Sequence, residues 1–239
     1  MSRVATAARG AGILAVVLFA GAPAALQIGL LGPAIGFRAF GGSLLLGLLA
    51  LILGLIGLVR TRVATGRGGR GRAVLGAALG FVVVAAILGL AAPSGDLPII
   101  NDITTDLEDP PAFRAALERT ANRGRDMDYP RDFGEAQRQG YPDLAPLEVK
   151  TTPAKTLDRI ADIAKGFGWT NISRDDAAGT LEATETSRVF RFVDDISVRV
   201  RPSGDGSIVD VRSKSREGRG DLGANAARIR RLLEALRDA

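Results

Sequence analysis

The amino-acid sequence predicts an α+β protein in two parts: three transmembrane helices, then an antiparallel β-sheet domain packed by two long helices. The first observation behind this is a charge partition. Residues 1–92 hold eight Arg and no Asp or Glu, whereas the rest of the 239-residue chain holds 23 basic and all 26 acidic residues. The second is three uncharged apolar stretches, Gly10–Phe37, Ala39–Val59 and Ala73–Ala92. Each reaches the roughly 20 residues that a helix rising 1.5 Å per residue needs to cross the hydrocarbon core. The third is the order of patterns beyond residue 150: an amphipathic helix, four strand-like segments and a second amphipathic helix.

In the membrane region, 1–92, helices are expected at about 11–31, 41–59 and 73–92, because lipid leaves backbone polar groups no partner but the helix itself. The loop from Arg60 to Arg72 carries five arginines, Arg3 and Arg9 precede the first segment, and only Arg38 lies between the first two. Positive loops stay in the cytoplasm, which predicts a multi-pass plasma (inner) membrane protein with its N-terminus inside and everything after Ala92 extracytoplasmic, or periplasmic. A cleaved signal peptide is the alternative for the first stretch, given its basic start and small residues at Ala20–Ala25, and it leaves the later topology unchanged. Ser43, Gly47, Ala50, Gly54 and Gly57 place small residues on one face of the second helix, as Gly76 and Gly80 do on the third, which suits close helix packing in lipid. Gln27 and Ser43 are the conspicuous polar groups at membrane depth, too few for an ion path through these helices alone.

Residues 93–111 read as a tether, interrupted by Pro93, Gly95, Pro98 and Pro110-Pro111. The extracytoplasmic domain then spans 112–239. Short helices are expected near Phe113–Ala121 and Phe133–Gln139. A longer one starts at Thr152-Pro153, presents Leu157, Ile160, Ala164 and Phe167 on one face, and ends at Gly166 and Gly168. Strands are expected at Trp169–Ser173, Thr180–Thr186, Val189–Val200 with a break at Asp194-Asp195, and Ser207–Ser215, the last two joined through Gly204–Gly206. A closing helix over Leu222–Arg237, capped by Asp221, sets Leu222, Ala226, Ile229, Leu233 and Leu236 opposite Arg228 and Arg231.

The absence of Cys and His removes disulfides, thiolate and imidazole chemistry and zinc sites built on those ligands. The basic isoelectric point belongs to the membrane part, so no nucleic-acid partner is expected. No cofactor, metal or catalytic residue is assigned. The densest chemistry lies in Val209–Ile229. Strand alternation puts Val209, Val211, Ser213 and Ser215 on the core side and Asp210, Arg212 and Lys214 on the other, where Arg199 and Arg201 join them. Arg216 and Arg219 follow in the turn before a helix N-terminus. These six cations are a candidate site for a phosphate or carboxylate of an anionic lipid or envelope polymer. The competing reading is an exposed face on which they pair with Glu182, Glu185, Asp194 or Asp195.

Ser213-Lys214-Ser215 does not make a Ser-Lys dyad, because neighbours in a strand point to opposite faces. Asp194-Asp195 is explained by a turn as well as by acid-base or cation chemistry. Arg219-Gly220-Asp221 has a cap to explain its Asp, and the Asn171-Ile-Ser173 glycosylation spacing falls inside a strand. Three functions remain open: a membrane-anchored domain that binds an envelope component or a membrane-protein partner; an envelope hydrolase or transferase using Asp194, Asp195, Arg212 and Lys214; and an accessory subunit of a transport complex, which requires a free small-residue face on the second helix.

Asn101–Phe113 (NDITTDLEDPPAF), Tyr141–Leu144 (YPDL), Leu181–Val200 (LEATETSRVFRFVDDISVRV) and Val209–Ile229 together resemble the domain of unknown function 1499 family over roughly residues 98–236. The resemblance implies an occurrence in bacteria and plastid-bearing lineages, often behind membrane segments, with no established activity to carry over. Some relatives have a Cys near the start of the domain. Asn101-Asp102 stands there in this chain, so no role can rest on that thiol.

Overall fold

The computed structural model describes residues 2–62, 68–91 and 97–237, which fall into two compact units: the N-terminal helices together with Arg188–Arg191, and the remainder from residue 97 on. The first unit contains α1 (Arg3–Gln27), α2 (Pro33–Arg60) and α3 (Arg70–Ala91), all long and apolar enough to cross a membrane. The first two boundaries differ from the expected ones for local reasons. Ser2 caps α1 through the Ala5 N–H, so the helix begins eight residues early. Gly29 at φ 74° breaks it, and Pro33 at the first helical position starts α2 inside the apolar run expected to belong to the first helix.

The small residues are spent on packing. Ser43, Gly47, Ala50, Gly54 and Gly57 are all buried. A Cβ at Gly47 would lie 3.2 Å from the Gly80 carbonyl oxygen, and one at Gly54 2.7 Å from the Ala77 nitrogen. The face that a transport-subunit role requires to be free is therefore covered by the chain's own α3. Ser43 returns its hydroxyl to the Phe40 carbonyl at 2.5 Å, and Gln27 donates to the carbonyls of Arg188 and Val189 at 2.6 and 3.0 Å. Leu45, Phe81 and Leu90 point outward at 60–70% exposure, as lipid-facing residues do. Arg67 of the arginine-rich loop lies outside the described residues.

The second unit is a six-stranded antiparallel sheet: β1 (Asp102–Thr104), β2 (Leu147–Val149), β3 (Thr170–Asp175), β4 (Thr180–Thr186), β5 (Val193–Ser203) and β6 (Gly206–Ser215). Its order is β1-β6-β5-β4-β3, and β2 pairs with β6 alongside β1. Four helices accompany it: the short α4 (Ala115–Glu118), α5 (Phe133–Gly140), α6 (Pro153–Gly166) and α7 (Ala224–Arg237). Helices α6 and α7 cover one face, where Leu157, Ile160, Ile229 and Leu232 meet Leu181, Ile196, Val198, Val209 and Val211 in one apolar core. Burial of such side chains, worth about 1.5–3 kcal/mol each, is the main force holding this layer together.

Four expectations change here. Residues 93–96 lie outside the described residues, but the second half of the supposed tether is structural: β1 lies inside it and pairs Asp102 with Lys214. The third strand starts at Val193, because Arg188–Arg191 forms the turn and Arg191 sits at φ 58°. Leu222 leaves the apolar stripe of α7 and is exposed at φ 52°, the helix beginning two residues later. Arg228 is buried, held against the sheet by Asp194.

Candidate functional site

The face of the sheet opposite α6 and α7 carries Glu182, Thr184, Asp195, Ser197, Arg199, Asp210, Arg212 and Lys214, as alternation predicts. It is not an exposed face. Residues 105–138 fold over it, and the charged side chains fasten them. The Glu182 carboxylate accepts the backbone N–H groups of Arg114, Ala115 and Ala116 at 2.7–2.9 Å, holding the first turn of α4 on the sheet. Ser197 donates to the Ala112 carbonyl, and Arg119 binds Asp195 at 3.0 Å.

Five of the six cations singled out from the sequence are consumed by this arrangement. Arg212 grips Asp102 with two bonds of 2.9 and 2.7 Å, and Lys214 reaches the same carboxylate at 2.8 Å. Arg216 binds Asp195. Arg199 and Arg201 share Asp210 and Asp106, and Arg199 also binds Asp109. Arg219 is the exception: it is exposed and makes no ion pair among the described residues. Most of the partner carboxylates come from residues 102–109 rather than from the strand acids expected to neutralise the face. A charge buried in low dielectric survives only when paired and hydrogen-bonded, and here the pairs are mutual.

The groups of the hydrolase reading do not converge on an open site. Asp194 points to the helix side, bound to Arg228 at 2.6 Å, which also binds Glu185. Asp195 lies on the opposite side with Arg216, Arg119 and Asn122. Arg212 lines the cleft described next, and Asp194, Asp195 and Lys214 do not.

That cavity is a cleft of about 710 Å³ in the covering layer. Leu107, Pro110, Phe113, Leu117 and Met127 supply an apolar wall, and Arg125, Arg131, Arg138, Glu108, Asp126 and Asp128 supply charge. Arg212 lies 4.8 Å from the centre of the Phe113 ring and 5.6 Å from that of Tyr129, an arrangement in which the guanidinium orients the aromatic side chains. Burial, followed by the nearby Asp102 carboxylate, raises the Tyr129 phenol well above its ordinary pKa, so it stays a neutral donor. Its hydroxyl reaches the Gln137 side-chain oxygen at 3.1 Å. Gln137 in turn pairs with the Thr104 backbone through both ends of its amide.

The arginines around the cleft differ in availability. Arg138 makes long, exposed pairs with Glu108 and Glu135. Arg125 donates to the Ser215 and Arg216 carbonyls, keeping its charge without a carboxylate partner among the described residues. Arg131 is exposed and likewise makes no ion pair there. These residues do not stand out at first reading, because they come from an irregular segment without period. The available signal is its density: Arg119–Asp132 packs four arginines and three aspartates around Met127 and Tyr129.

Fold and site together define a class: an α+β domain behind three helices long and apolar enough to cross a membrane, with a charged, covered sheet face and an apolar-walled cleft above it. The family model of a protein of unknown function, DUF1499, matches residues 102–236, and the chain belongs to that family. Its matched region starts at β1 and ends in α7, and so takes in all six strands of the sheet. Comparison with curated proteins gives no match.

Proposed function

We propose that the protein is a membrane-anchored binding module whose extracytoplasmic domain takes an envelope component, an anionic amphiphile, into the cleft. The observation that carries this is the pairing of the apolar wall of Phe113, Leu117 and Met127 with Arg125 and Arg131, two arginines without carboxylate partners among the described residues. A volume near 710 Å³ falls within the range of about 300–1,000 Å³ of small-molecule sites. A ligand with an apolar body and one anionic group gains burial from the wall and a charge-assisted hydrogen bond from an arginine. The anchor holds the site beside the membrane that supplies such molecules.

The test is titration of the full chain, in nanodiscs of neutral lipid, with a water-soluble short-chain alkyl phosphate and with the matching alcohol. Saturable binding of the phosphate alone is expected, weakened by Arg131→Ala and by Leu117→Gln. Both positions are exposed, so the fold is spared. Equal binding of phosphate and alcohol, or no loss in either variant, refutes the reading.

A further inference from the structure

We propose a second lipid contact, independent of the cleft: residues 97–99 and 219–222 form a surface that rests in the head-group region of the bilayer, with Ile99 and Leu222 in the acyl boundary and Arg219 on an anionic lipid phosphate. Ile99 is 78% and Leu222 66% exposed, the largest values among the exposed large apolar residues of the sheet unit. They belong to one surface. The Asp221 N–H bonds the Ile100 carbonyl at 3.2 Å, a Cβ on Gly220 would meet the Ile99 side chain at 3.2 Å, and one on Gly223 would meet Leu97 at 2.8 Å. Leu222 therefore lies between the contacts to Ile99 and to Leu97.

The backbone holds Leu222 at φ 52°, a region costly for a branched side chain, while leaving that side chain in water. The turn, in which the Asp221 carboxylate accepts from the Gly223 and Asn225 N–H groups, requires that backbone angle but not an apolar side chain exposed to water. Three facts select lipid as the occupant. Seven residues separate Ala91, where α3 ends, from Ile99, a span of at most about 28 Å when fully extended. Leucine and isoleucine beside an arginine are the composition of interfacial segments, apolar atoms in the acyl boundary and the cation among phosphates. Arg219 is also the one cation of the group singled out from the sequence that no carboxylate neutralises among the described residues.

The chain has no cysteine, so single replacements report cleanly. Ile99→Cys, Leu222→Cys and, as a control in the exposed β5–β6 turn, Asp205→Cys are each labelled with a fluorophore in the full chain. The labelled proteins are reconstituted into nanodiscs containing lipid-chain quenchers, with neutral lipid alone or with added anionic lipid. Quenching at 99 and 222 but not at 205 is expected, stronger with anionic lipid, and Arg219→Ala is expected to abolish that increment. Labels at 99 and 222 that behave like the one at 205 overturn the proposal. Labels shielded from water yet not quenched by lipid point to a second copy of the chain and overturn it as well. Equal quenching in neutral and anionic discs, unaffected by Arg219→Ala, refutes the role given to Arg219.

Discussion

Replacing Asp102 by Asn removes one charge from a fully buried cluster and leaves two. The Asp102 side chain is 0% exposed, and those of its partners Arg212 and Lys214 are 3% and 9% exposed. All three of its bonds are charge-assisted and shorter than 3.0 Å, and Arg212 further donates to the Met127 carbonyl in the covering layer. Asparagine keeps the shape but leaves two neighbouring cations uncompensated in low dielectric. Removing one partner of a buried pair costs about 3–5 kcal/mol, a large part of the roughly 5–15 kcal/mol that holds a domain folded. Trp169 is the sole tryptophan and lies buried in the core of the sheet unit, so its fluorescence follows that unit through a urea titration of the detergent-solubilised chain. Asp143→Asn is the comparison, because its pair with Arg230 is 53% and 38% exposed and should be worth less than about 1 kcal/mol. An Asp102→Asn loss no larger than that of Asp143→Asn refutes the claim that these cations are spent on structure.

Acid should reveal Glu185. Burial pushes its carboxyl up, but Arg231 and Arg228 outweigh this and hold it below its ordinary 4.5. With the folded value depressed, the unfolded chain binds more protons in the window between the two values, so this contribution is present above about pH 4.5 and fades as pH falls through the folded value. Glu185→Gln should lower stability at neutral pH and flatten the acid limb of the Trp169 transition midpoint; an unchanged limb counts against the pairing. In the helical unit, Gly54→Leu forces a side chain into the backbone of Ala77, and thermal stability in detergent should fall sharply. Ile52→Leu, on the exposed side of the same helix, should leave it unchanged, and equal behaviour of the two argues against the α2–α3 packing.

What the sequence makes legible follows from what each part must bury. The acid-free apolar runs announce α1 to α3, because lipid tolerates nothing else there, and the Pro-started stripe of α6 and the alternation in β4 and β6 are equally readable. The strands β1 and β2 are three residues each, too short to show a period, and they owe their existence to pairing with β6. The site was half legible. Alternation assigns Arg212 and Lys214 to the face away from the helices, but it cannot show that Asp102, more than a hundred residues earlier, neutralises both. The segment that covers the face is irregular, fixed by long-range side-chain bonds such as those from Glu182 to residues 114–116. The cleft in that segment leaves no local pattern.

Which side of the membrane holds the sheet unit decides whether an envelope ligand can reach it at all. In spheroplasts expressing single-cysteine forms of the full chain, an impermeant thiol reagent should label Asp205→Cys without lysis and Gly68→Cys only after it. Labelling of Gly68→Cys in intact spheroplasts, with Asp205→Cys protected, places the domain in the cytoplasm and contradicts the account.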